Sequence, residues 1–172
     1  MVVFLKALLI GVALLHLSLP AQAQEPQKPS KDQEYLKRLV GSWSADSENG
    51  KGTMIYKMEL GGLWLMGDFE GEFGGFKFQG KSLESYDSAT KKYRSVWVDS
   101  FSTQPRIMEG DLDKEGKIMT LTGTGRGADQ KTVNYKSVTE IKNDDTVNYS
   151  LFLVDKDGKE LPMVKLTYKR KK

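Results

Sequence analysis

Tyr93-Arg94-Ser95-Val96-Trp97-Val98-Asp99-Ser100-Phe101 decides how this chain is read. Tyr93, Ser95, Trp97, Asp99 and Phe101 alternate with Arg94, Val96, Val98 and Ser100. A period of two marks a strand, because successive side chains of a pleated backbone point to opposite faces. The rhythm continues on both sides. Upstream, Met54, Tyr56, Met58 and Leu60 alternate with Thr53, Ile55, Lys57 and Glu59. Phe76, Phe78, Gly80 and Ser82 alternate with Lys77, Gln79 and Lys81. Downstream come Val133, Tyr135, Ser137, Thr139 and Ile141, then Val147, Tyr149, Leu151 and Leu153.

Turn-forming residues separate the runs at Asn49-Gly50, Gly61-Gly62, Gly74-Gly75, 87–92, Lys114-Glu115-Gly116, 142–145 and Asp157-Gly158. Roughly ten strands follow, at the spacing of all-β proteins. Strands joined by tight turns form an antiparallel meander, and a long meander closes to remove its edges. The expected fold is all-β: a closed antiparallel up-and-down β-barrel of about ten strands, with one short N-terminal helix. A two-sheet sandwich is the second choice. Ser30 and Gln33 have the spacing of a capping box. Tyr35, Leu36, Leu39 and Val40 then share a helical face over about two turns, and Gly41 stands where a glycine stop belongs.

Residues 1–23 read as a signal peptide. Lys6 supplies the positive charge, Ala7 to Leu19 is almost wholly apolar, and Ala21-Gln22-Ala23 is a small-x-small cleavage site. Pro20 ends the apolar run before the roughly 20 residues that a spanning helix needs. The expected organisation is a signal peptide at 1–23, a flexible tether at 24–31 and one barrel domain at 32–172. The expected location is the periplasm or the extracellular space, with no integral membrane segment after cleavage. Cleavage would remove one charged side chain, Lys6, and bring the formal charge down from +3 by one. A balance so near zero gives no reason to expect nucleic acid as a partner.

His16, inside the leader, is the only histidine, and there is no cysteine. The commonest general base, the commonest metal ligand and the thiolate nucleophile are therefore missing from the mature chain. No catalytic residue, metal ligand or cofactor is assigned. Gly123-Thr124-Gly125-Arg126-Gly127-Ala128 matches a dinucleotide fingerprint, but an alternating run follows where the fingerprint needs a helix. It reads as a loose glycine loop. Asp111, Asp113 and Glu115 resemble the start of a calcium loop, but its twelfth position is Thr122, so a hairpin turn is expected.

Asp99 shares a face with Tyr93, Trp97 and Phe101, and Glu84 stands between Ser82 and Tyr86. If that face lines the barrel, two carboxylates share one apolar interior. They could fix the barrel through hydrogen bonds, orient a ligand, or act as an acid–base pair. The leading reading is a binding barrel for a small apolar or amphipathic ligand. Tyr56, Phe78, Tyr86 and Trp97 would line the cavity, and Glu84 and Asp99 would orient a polar end. The alternatives are a hydrolase using Glu84 and Asp99, or an envelope interaction module with a packed interior.

A short helix leading into Gly41-Ser42-Trp43 resembles the start of lipocalins, fatty-acid-binding proteins and other calycin barrels. In lipocalins the Trp packs at the closed end against a basic residue from a late strand, a role the resemblance gives to Arg170. Other motifs resemble the bacterial domain-of-unknown-function family 1579. They are Gly61-Gly62-Leu63-Trp64, Phe73-Gly74-Gly75-Phe76-Lys77-Phe78-Gln79-Gly80, Tyr86-Asp87, Lys91-Lys92-Tyr93, Trp97-Val98-Asp99-Ser100-Phe101-Ser102-Thr103, Glu109-Gly110-Asp111 and Tyr168-Lys169-Arg170. Members of that family are small and often exported. The resemblance implies a lipocalin-like barrel and brings no established activity. Haem held by an axial histidine, as in some barrel relatives, is not expected of a mature chain without one.

Overall fold

A computed structural model describes residues 25–127, 129 and 131–172. The signal-peptide reading lies outside the described residues. A 3-10 turn at Lys31–Gln33 runs into α1 (Glu34–Lys37). Ten strands follow: β1 (Gly41–Ser47), β2 (Gly50–Glu59), β3 (Trp64–Phe73), β4 (Phe76–Asp87) and β5 (Lys92–Asp99), then β6 (Ser102–Leu112), β7 (Ile118–Arg126), β8 (Thr132–Asn143), β9 (Thr146–Val154) and β10 (Glu160–Arg170). Each strand pairs antiparallel with the next, and β1 pairs with β10, so the sheet is a closed barrel. Closure leaves no edge strand with unpaired backbone groups.

The hairpins show why the rhythm in the sequence becomes a meander. Gly74 and Gly75 have φ values of 59° and 83°, the left-handed pair that a two-residue turn with the twist of its strands demands. The β5–β6 turn works differently. Asp99 Oδ1 accepts a hydrogen bond from the Phe101 amide at 2.9 Å, and the chain reverses at Ser100-Phe101. Phe101 therefore sits in a turn and does not continue the strand, as the alternation had suggested. Gly123 and Gly125 lie within β7, so the glycine run is mostly strand; only Gly127 belongs to the loop.

The helical segment plugs one end of the barrel. Its capping box forms as expected: the Ser30 amide donates to Gln33 Oε1 at 2.7 Å, and the Ser30 hydroxyl accepts from the Asp32 amide. The helical segment covers the expected two turns or so, Lys31–Lys37, but Gly41 does not stop it. Gly41 opens β1 with φ of 131°, and a Cβ there would lie 2.6 Å from Arg170 Nη1. The glycine makes room for the arginine.

Arg170 lies over the Trp43 ring, with Cζ 4.0 Å from the centroid. It donates to the carbonyls of Val40 (2.6 Å), Asp144 (2.7 Å) and Arg38 (2.9 Å). Trp43 Nε1 donates to Leu39 O at 2.8 Å, so the indole is buried without an unmet donor. Tyr35, Leu36 and Leu39 complete this floor. Tyr35 donates to Thr139 O and Tyr93 to Asp32 O, tying the plug to β8 and β5. Among the described residues no helix is long and apolar enough to cross a membrane. The outer wall carries cross-strand ion pairs such as Lys81–Asp68, Arg94–Glu109 and Lys136–Glu160.

Candidate functional site

The other end of the barrel is open. A cavity of about 700 Å³ reaches from the β1–β2 and β5–β6 connections and the first half of β10 down toward Trp43. Its upper wall is aromatic. Phe78 stacks on Trp97 at 6.2 Å and 14° between planes, and Phe69, Phe73 and Phe101 meet these rings edge-on. The sheet leaves space for the indole at Gly80, where a Cβ would lie 2.2 Å from Trp97 Cζ2. Met108, Met119, Leu121 and Leu151 supply the aliphatic side.

The register draws one transverse row across this interior. Tyr56 pairs with Gly67, Gly67 with Ser82, Ser82 with Trp97, and Trp97 with Arg106. The row runs over five neighbouring strands, β2 to β6. Glu84 lies two residues deeper on β4, between the main cavity and a void of about 40 Å³ beside Trp43.

Glu84 is half-buried deep in the barrel and faces Tyr35, Tyr56, Tyr149 and Tyr168. Loss of water pushes its carboxyl up to about 7, softened by the nearby Ser82 hydroxyl. Ser82 Oγ is itself buried and makes no hydrogen bond of normal geometry. The tyrosines divide in the same way. Tyr35, Tyr93 and Tyr135 each donate to a backbone carbonyl. The hydroxyls of Tyr56, Tyr149 and Tyr168, which line the cavity, make no hydrogen bond among the described residues. Burial raises all three above the usual phenol range.

Five of the six residues expected to line the interior do so: Tyr56, Phe78, Glu84, Trp97 and Asp99. Tyr86 does not. It has the inward parity but lies beyond the floor, packed against Tyr93 at 5.0 Å, while its carbonyl accepts from Gln33 Nε2. Asp99 belongs to the mouth. Its Oδ2 accepts from Trp97 Nε1 at 2.8 Å and its Oδ1 from the Phe101 amide, so it holds the indole and the turn. Asp99 pairs with Gly80, four residues along β4 from Glu84. That is about 13 Å along the strand, beyond the 5–9.5 Å of a carboxyl pair that works on one glycosidic bond. Glu84 and Asp99 occupy separate levels of the cavity. Arg106 was absent from the expected set. Its place follows from a register shift between Trp97 and Asp99 that sequence alternation does not report.

The sequence profile of a family described as "Protein of unknown function (DUF1579)" matches residues 28–170. The chain belongs to the DUF1579 family. The match covers every strand of the barrel, from the helical plug to Arg170. No curated protein matches the chain significantly. Membership in DUF1579 thus goes with the barrel and its cavity and brings no activity with it.

Proposed function

We propose that this DUF1579 barrel is an exported binding protein that holds a small amphipathic molecule in its cavity. The carrying observation is the unspent polarity of a mostly apolar interior. The buried Ser82 hydroxyl makes no hydrogen bond of normal geometry, and Tyr56, Tyr149 and Tyr168 make none among the described residues, around the protonatable Glu84. Natural interiors satisfy such groups, because each one left unpaired costs about 1–3 kcal/mol. A packed interior would not carry them together beside a cavity of about 700 Å³. The ligand's apolar body lies against Phe78, Trp97 and Met108, and its polar part reaches the inner row. Export rests on the leader-like composition of residues 1–23.

The test uses the whole purified chain and N-phenyl-1-naphthylamine, a neutral probe that fluoresces in apolar surroundings. The expected result is saturable uptake at one probe per chain, weakened by Trp97→Ala. Native mass spectrometry of protein from its own host should show a co-purifying small molecule. No probe uptake together with only the bare chain in the mass spectrum overturns the reading.

A further inference from the structure

Arg106 is a guanidinium that lines a mostly apolar cavity and makes no ion pair among the described residues. It stands on β6 opposite Trp97, and its Cζ lies 5.1 Å from the centroid of the Tyr135 ring. Gly125 on β7 leaves the necessary space: a Cβ there would lie 2.9 Å from Tyr135 Cε2 and 3.5 Å from Arg106 Cβ. Stacking on a ring uses the face of the guanidinium plane and leaves its N–H edge free. Among the described residues Arg106 makes no ion pair and no hydrogen bond. Three acids line the cavity, Glu48, Glu84 and Asp99, and none pairs with Arg106; Glu48 is exposed at the mouth, between β1 and β2. Asp99 accepts from Trp97 Nε1 and the Phe101 amide and makes no ion pair with Arg106. Glu84 is two strands away and one inward position deeper. A half-buried cation without a partner is costly, and an arriving anion removes that cost.

Resting on the binding-barrel reading, we infer that the ligand is an amphipathic oxyanion whose carboxylate, or group of like geometry, sits on Arg106. The donors nearby favour the same chemistry. Ser82 lies in the same transverse row, and Tyr149 feels the Arg106 charge, which opposes the upward push of burial on its hydroxyl. Hydroxyls and N–H groups converge on a space whose deep acid, Glu84, is protonated below pH 7. Around Arg106 the lining offers donors to an anion, while the carboxylates of Glu48 and Asp99 stay at the mouth.

Displacement of N-phenyl-1-naphthylamine by dodecanoate, dodecanol and dodecylamine at pH 6.5 tests this, because the three differ only in the head group. The quantity read is the ratio of affinities within each protein. In the unaltered chain dodecanoate is expected to bind roughly tenfold or more tighter than dodecanol, the effect of one charge-assisted pair. Arg106→Gln should bring that ratio to about one. Arg106→Lys, which keeps the charge without the planar fork, should shrink it without inverting it. Probe uptake with dodecanol or dodecylamine bound as tightly as dodecanoate overturns this inference alone. So does a ratio unchanged by Arg106→Gln. Absence of any probe uptake by the unaltered chain overturns the binding reading and this inference with it.

Discussion

The two ends of the barrel treat polar groups in opposite ways. At the plugged end four side chains have found fixed acceptors: Trp43 on Leu39 O, Tyr35 on Thr139 O, Tyr93 on Asp32 O, and Arg170 on three carbonyls. In the open half Ser82, Tyr56, Tyr149, Tyr168 and Arg106 have not. The two arginines make the contrast sharpest. Each lies over an aromatic ring, but Arg170 also spends its N–H groups on the backbone and Arg106 keeps its own. The difference separates a region built for stability from one whose hydrogen-bonding capacity is held for something else.

The plugged end should therefore dominate stability. Trp43→Ala removes a buried indole and its hydrogen bond to Leu39, and is expected to cost about 3–5 kcal/mol. Arg170→Gln leaves carbonyls of Arg38, Val40 and Asp144 without their donor and should cost about 2–3 kcal/mol. Urea unfolding followed by tryptophan fluorescence or circular dichroism measures both. Arg106→Gln, by contrast, removes an unpaired charge and should be neutral or stabilising by the same measurement. Equal losses at Arg170 and Arg106 would dissolve the distinction between the two ends.

This asymmetry explains which parts were legible in the sequence. The ladder was legible because alternation fixes the inward face, and Gly74-Gly75 and the Ser30/Gln33 box carry their geometry in their composition. Tyr56, Phe78, Glu84, Trp97 and Asp99 were placed inside by parity alone. Parity gives the face and not the depth, so Tyr86 was assigned to a cavity it lies beneath. The β5–β6 turn was hidden because Ser100-Phe101 contains no glycine, proline or asparagine; the Asp99 carboxylate makes it. Arg106 was hidden twice over. Pro105 makes β6 a poor strand in sequence, and the register shift past Asp99 moves Arg106 opposite Trp97.

Glu84 offers a sharper view of the open half, through pH. Its carboxyl titrates at about 7 in the folded chain, against 4.5 for an ordinary glutamate. Below about 4.5 it is protonated in both states and contributes no slope. Between those values the folded chain holds a proton that the unfolded chain releases, so stability falls as pH rises; above 7 the slope ends. The total loss is on the order of 3 kcal/mol. Glu84→Gln should abolish the slope, match the unaltered chain at pH 4 and exceed it at pH 8. Equilibrium unfolding at several pH values measures it. A mutant with the same slope would place the proton elsewhere.

Ser82→Ala has the smallest expected effect on stability and an unusual sign. Replacing a buried serine normally costs the hydrogen bond its hydroxyl makes. Here the hydroxyl makes none of normal geometry, so the alanine chain should be equal in stability or firmer by up to about 1 kcal/mol. The same change should move the Glu84 titration further upward, because Ser82 is what softens it. It should also weaken a bound anion, since one donor of the inner row is gone. A loss of stability would mean that Ser82 is already satisfied and that the open half is packed by the same rule as the plugged one. Gain of stability with loss of affinity is the pattern of a group kept unsatisfied for a ligand, and no structural serine can produce it.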